Sequence, residues 1–232
     1  MKKAIMLSLV MSLALGVFLG GCVDNDRSLT IEYTLQADKD CVVESADGTV
    51  WDYGLFSGSL DLAHPFFAGE PRYYLSLQVR NNLPAEPTTC PTCGTNNYDV
   101  QIDRIEVRYS FEKGREIVEG LAPSLLLLED QAEMLPAGGS MPAEGLTVIA
   151  GIPVISPQVG ALLYSLGEEA DQVVLGVSVK IIGTTLGGQR IESNDYMLRL
   201  YLCWAGLRLA SCSDGSYPGC FPGQEPAPDS CQ

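Results

Sequence analysis

The sequence predicts an all-β fold, an antiparallel β-sandwich, and three observations predict it. Long stretches of the 232-residue chain alternate apolar and polar residues with a period of two. Glycine, proline, asparagine and lysine–glycine turns separate those stretches. No strand–helix–strand alternation and no fixed-period repeat is present. Half-polar strands of this kind belong to antiparallel sheets, with one face on a core and one in water.

The first strand is "SLTIEYTLQ" (28–36), where Leu29, Ile31, Tyr33 and Leu35 alternate. "YYLSLQVRNNL" (73–83) sets Tyr73, Leu75, Leu77 and Val79 against Ser76, Gln78 and Arg80. "YDVQIDRIEVRYSFEKG" (98–114) places Ile105, Val107, Tyr109 and Phe111 inward, with Arg104, Glu106, Arg108 and Ser110 outward. Lys113-Gly114 reads as a turn. Residues 172–204 read as a meander: Val173, Leu175, Val177 and Val179 alternate up to a bend at Gly183, "LGG" turns the chain, and Leu198, Leu200 and Leu202 alternate on the return. Together these give a sandwich of the immunoglobulin-like kind over 29–210.

One short cross-over helix is expected. Ser156 suits an N-cap and Pro157 the first helical position. Ile155, Val159, Leu162, Leu163 and Leu166 then recur at helical spacing until Gly167. "SLLLLEDQAEML" (124–135) fits strand and helix equally. From 211 to 232, "SCSDGSYPGCFPGQEPAPDSCQ", apolar periodicity stops and glycine, proline and serine dominate. Such a segment cannot fold by burial; its cysteines predict a disulfide-stapled C-terminal tail.

The other end of the chain carries an address. Lys2 and Lys3 precede "AIMLSLVMSLALGVFLGG", which has no charge and no proline. That is the layout of a secretory signal over residues 1–21. The stretch Leu19-Gly20-Gly21-Cys22 that ends it resembles the lipobox of bacterial lipoproteins. The resemblance implies cleavage before Cys22, a diacylglycerol on its thiol and acylation of the new amine. The ordinary alternative is a plain signal peptide whose first mature cysteine enters a disulfide. Several acyl chains, at about 0.8 kcal/mol per buried CH₂, hold a protein in a membrane where a single chain binds only reversibly. Residues 22–28 form the lipidated tether, whose flexible span is about 12–15 Å. In the enteric sorting rule, aspartate directly after the lipidated cysteine retains the protein at the inner membrane. Val23 stands there instead, so the resemblance favours the outer membrane.

Charge limits the partners. The chain has 14 Lys and Arg against 29 Asp and Glu. Lys2 and Lys3 leave with the signal, so the mature balance is 12 against 29, or −17. Such a surface repels nucleic acid and anionic headgroups. The lipid on Cys22 is then the membrane partner, and an envelope protein or surface ligand of unknown identity is the other. Seven cysteines remain in the mature chain: Cys41, Cys90, Cys93, Cys203, Cys212, Cys220 and Cys231. In an exported protein they read as disulfides, three bridges and one odd thiol, with 15 connectivities open for any six.

Three groups invite chemistry. "CPTCG" (90–94) has redox spelling, but thiol activation needs a helix N-terminus, and "NNLPAEPTT" and "GTNN" flank it with turn-formers. A local disulfide at a loop tip is the plainer reading. Zinc on Cys90, Cys93 and two tail cysteines lacks the second close cysteine pair such sites use. His64, the single histidine, lies near Ser59 and Asp61 in "SGSLDLAHPFF". No GxSxG elbow accompanies it, and Pro65 pushes it toward extended backbone. Neither "ADKDC" nor "VDND" has calcium-loop spacing. Trp51, Tyr53, Phe56, Phe66 and Phe67 form the aromatic-rich region, core by default and a binding patch if exposed.

Residues 172–212, with "GTTLGG", "ESNDYMLRLYLC" and a cysteine-bearing tail, also resemble uncharacterised lipoproteins of large-genome Gram-negative bacteria. That resemblance implies location and fold. The expected role is a non-enzymatic binding or structural module without metal or cofactor. The alternatives are a thiol-redox protein using Cys90 and Cys93, and a hydrolase centred on His64.

Overall fold

The computed structural model describes residues 28–35, 57–85, 97–204 and 224–225. They form a mostly β structure in two sheets. Three strands, β1 (Leu29–Leu35), β3 (Tyr73–Asn81) and β7 (Leu146–Ile155), make the smaller sheet in the order β1-β3-β7. The larger follows the order β11-β2-β10-β8-β4-β5. Its members are β2 (Ser57–Asp61), β4 (Val100–Lys113), β5 (Glu133–Pro136), β8 (Val174–Thr185), β10 (Tyr196–Cys203) and β11 (Gln224–Glu225). Two short strands flank it: β6 (Ser140–Met141) pairs with β4 and β9 (Arg190–Glu192) with β8. All pairs are antiparallel except β2 with β10, which runs parallel from Ser57↔Arg199 to Asp61↔Cys203.

The expected strands appear where the alternation is clean. Tyr73, Leu75, Leu77 and Val79 from β3, Ile105, Val107, Tyr109 and Phe111 from β4, and Leu198, Leu200 and Leu202 from β10 are buried in one apolar cluster drawn from both sheets. Each fully buried Leu, Ile or Val contributes about 1.5–3 kcal/mol over its exposed state. The outward face of the small sheet departs from simple alternation. A bulge between Ile31 and Tyr33 turns both Glu32 and Tyr33 outward. Gln78, buried at the centre of that face, donates through Nε2 to Glu32 Oε2 at 3.0 Å and to Tyr33 Oη. Arg80 completes the cluster by pairing with Glu32.

Several elements differ from the sequence expectation. Gly183 lies inside β8, which runs on to Thr185. A β-carbon there would sit 2.7 Å from the Gln101 carbonyl oxygen, so the glycine serves close strand approach. There are two α-helices among the described residues. Gly114, at φ +77°, turns the chain from β4 into α1 (Arg115–Leu121). The expected helix is α2 (Pro157–Tyr164), with Ser156 Oγ accepting from Val159 N at 3.4 Å. It ends short of Gly167, and 167–172 continue as 3-10 turns. The ambiguous 124–135 stretch divides: Pro123–Leu128 is 3-10 helix and β5 follows.

Polar side chains join the sheets. Tyr109 Oη on β4 lies 2.8 Å from Glu133 Oε2 and 3.0 Å from the Val154 carbonyl oxygen on β7. Tyr196 Oη on β10 reaches Thr34 Oγ1 on β1 at 3.4 Å. Burial raises the Tyr109 phenol far above its ordinary range, and the Glu133 carboxylate raises it further. Burial raises Tyr196 too. Folded values above the unfolded value of about 10 mean the stability held by these neutral phenols is complete below that pH and falls as pH rises past it. The loss approaches 1.4 kcal/mol per pH unit for each phenol at most, by an order-of-magnitude estimate. Denaturant unfolding followed from about pH 9 to 11 should show that decline, and Tyr109→Phe should flatten it while lowering neutral-pH stability by about 1 kcal/mol. An unchanged alkaline slope in the variant would remove Tyr109 as the cause.

Candidate functional site

The strand directions define two ends of the molecule. One end gathers the turn after β2, α1, the 3-10 turns, α2 and the close of β10. Here Asp61 Oδ1 accepts from Ala63 N at 3.0 Å and caps the turn that carries His64. Leu62 N donates to the Cys203 carbonyl oxygen at 2.9 Å, locking that turn to β10. His64 meets Phe67 edge-on, with ring centroids 5.9 Å apart. Tyr164 and Trp204 stack at 4.9 Å, and Trp204 N donates to Asp171 Oδ1 at 2.6 Å.

Ser59, Asp61 and His64 are therefore gathered at one end, as their spacing suggests. Ser59 has no solvent exposure, so its hydroxyl is closed to substrate. The Asp61 carboxylate accepts through Oδ1 from the turn it caps. Ser59 and Asp61 occupy alternate positions of β2 opposite in sense to the core residue Leu60. Cys203 pairs with Asp61 and shares that outward face, and it is buried too. Cys203 is the one cysteine among the described residues.

Phe67 packs in the apolar core, so it takes the core role expected of aromatic residues and is no part of an exposed patch. Phe66 sits in the 3-10 turn Pro65–Phe67. Trp51, Tyr53 and Phe56 lie outside the described residues, as do Cys22, Cys41, Cys90, Cys93, Cys212, Cys220 and Cys231. Among the described residues no three His, Cys, Asp or Glu side chains converge as a metal site, and no helix is long and apolar enough to cross a membrane.

Two polar anchors went unread in the sequence. Asn194 receives Ile31 N at 2.7 Å and donates to the Ile31 carbonyl oxygen at 3.3 Å, closing the free edge of β1. Ser193 Oγ accepts from Ile181 N at 2.9 Å. "ESNDY" thus links β8 to the small sheet. A turn-like serine–asparagine pair between two strands is the only signal the sequence offered. No family model matches the chain, and no curated protein matches it.

Proposed function

We propose that the chain is a lipid-anchored protein of the bacterial cell envelope whose β-sandwich serves as a binding or structural module. The observation that carries the reading is Leu19-Gly20-Gly21-Cys22 behind an uncharged apolar run, with β1 beginning only seven residues after the cysteine. A multiply acylated Cys22 would hold the domain against a bilayer, and Val23 favours the outer membrane. Cys22→Ser should abolish labelling by a fatty-acid precursor and move the protein from the membrane to the soluble fraction. Labelling that persists in the variant would overturn the lipid anchor.

The strand order supports an immunoglobulin-like sandwich. In that fold strands A, B and E share one sheet and C, F and G the other, with C′ added beside C in the variable type. β1, β3 and β7 correspond to the first set, β4, β8 and β10 to the second, and β5 to C′. α2 then serves as the cross-over between E and F. β3 and β8, which a B–F disulfide would join, carry no cysteine, so apolar packing holds this core.

The stapled tail belongs to the same reading. Cys203 at the end of β10 supplies one disulfide sulfur, and β11 pairs with the far edge of β2 through Gln224↔Leu60 and Glu225↔Ser59. A bridge from Cys203 to a tail cysteine would close a loop in the chain. Closing such a loop contributes roughly 2–4 kcal/mol by restricting the unfolded chain. Mass spectrometry of unreduced peptides should pair Cys203 with Cys212, Cys220 or Cys231. A pair with Cys41, Cys90 or Cys93 would show the tail is not what Cys203 staples.

A further inference from the structure

Resting on the lipid-anchor reading, we infer that the end of the domain formed by the turns at 81–85, 97–99, 137–145 and 185–189 lies against the bilayer, and that the helical end points away from it. Strand direction gives the first reason. Leu29 pairs with Asn81, Leu146 follows the 137–145 turn, and Val100 pairs with Thr185, so all four turns and the start of β1 share one end. Asn81 Nδ2 binds the two sheets together there, reaching the carbonyl oxygens of Tyr98 at 3.0 Å and Pro142 at 3.1 Å. Residues 23–28 join Cys22 to this end. Even fully extended they reach only about 20 Å, less than the roughly 40 Å length of the twelve-residue strand β8, so an anchored Cys22 holds this end nearest the lipid.

Surface character gives an independent reason. Those four turns contain no Lys or Arg and two carboxylates, Asp99 and Glu144. Asp99 Oδ1 is occupied by Ala143 N at 2.9 Å. Two large apolar side chains stand out of this end, Tyr98 at 37% and Leu186 at 50% exposure. They are adjacent, because Leu186 N donates to the Asp99 carbonyl oxygen and Gly187 N to that of Asn97. A tyrosine and a leucine on a rim without Lys or Arg suit the headgroup–acyl boundary.

The opposite end is more densely charged. Glu70, Glu116, Glu119, Glu168, Glu169 and Asp171 are exposed there, against Arg72, Lys113 and Arg115. Anionic headgroups would repel that surface. The sparser charge of the turn end therefore agrees with the position of the tether, although neither determines the other. The helical end, with exposed Leu121 and Leu127, is left to face other molecules.

The test reads depth at each end. Full-length lipidated chain is reconstituted in vesicles of phosphatidylethanolamine and phosphatidylglycerol, with or without brominated acyl chains that quench tryptophan. Leu186→Trp and Leu127→Trp both replace exposed leucines, and wild-type emission is subtracted to remove Trp51 and Trp204. The emission added at 186 should fall by about half or more in brominated vesicles, as for a side chain at the acyl boundary, and that added at 127 should not change. Quenching at 127, or at neither position while the protein still floats with the vesicles, overturns the orientation and leaves the anchor standing. A wild-type chain that does not float, or a Cys22→Ser variant that still does, refutes the anchor and with it this inference.

Discussion

Gly160→Ala should destabilise the domain by about 3 kcal/mol or more, far beyond the ordinary effect of that change in a helix. A β-carbon on Gly160 would stand 1.8 Å from the Pro71 carbonyl oxygen and 2.9 Å from its carbonyl carbon. Both atoms are backbone, so no side chain can swing aside. Either α2 lifts from the 62–72 segment or that segment moves away from β3, which starts two residues on at Tyr73. Val159 and Leu163 on α2 are core residues, and lifting the helix would loosen them as well. Gly120 on α1 is the internal control, since its β-carbon meets nothing within 4 Å. Gly120→Ala should be neutral or stabilising by up to about 1 kcal/mol. Urea unfolding of the two variants measures the contrast. A Gly160→Ala protein within about 0.5 kcal/mol of wild type, the range of an ordinary surface change, would show that α2 is not seated on Pro71.

Asn81→Ala should cost about 3 kcal/mol, the other large effect. Asn81 is fully buried at the end of β3. Its amide nitrogen faces the carbonyl oxygens of Tyr98, Met141 and Pro142, at 3.0, 3.4 and 3.1 Å. Its Oδ1 accepts from Leu83 N at 3.1 Å. Removing the amide leaves buried backbone groups from three segments without their partner, and each such group costs about 1–3 kcal/mol unless water enters. Asn81→Asp should be almost as harmful, because a carboxylate cannot donate to three carbonyls. Thermal unfolding measures the loss, and amide exchange at Leu83 should rise in both variants. Exchange at Leu83 that stays slow would mean another acceptor replaces Oδ1.

Much of the β architecture was legible because it is local. In β4 the apolar residues fall on one face with period two, and the face they mark is the buried one. The Ser156-Pro157 start of α2 was equally readable, since capping involves neighbours three residues apart. β7 was not readable. "LTVIAGIPVI" has no alternation, and its Pro153 and its Gly151 at φ +67° disguise an edge strand that tolerates both. β2 escaped for another reason. Ser57–Asp61 is short and polar, and it becomes a strand because β10 and β11 flank it.

The sequence by itself determined the all-β class, the longest strands, the cross-over helix and the acidic surface. It also carries Leu19-Gly20-Gly21-Cys22, the lipobox-like stretch on which the proposed anchor rests. Each of these depends on residue type or on spacings of a few residues. The tertiary structure alone decided the strand order, the parallel β2–β10 pair, the closure of β1 by Asn194, the seat of Gly160 on Pro71 and the burial of Ser59. The physical reason is separation along the chain. Asn194 and Ile31 are 163 residues apart and Asn81 and Pro142 are 61 apart, so no local periodicity encodes their contact. The same separation decides the functional reading of Ser59, Asp61 and His64. Sequence brings them within six positions of one another, but only the folded chain leaves the serine with no access to solvent.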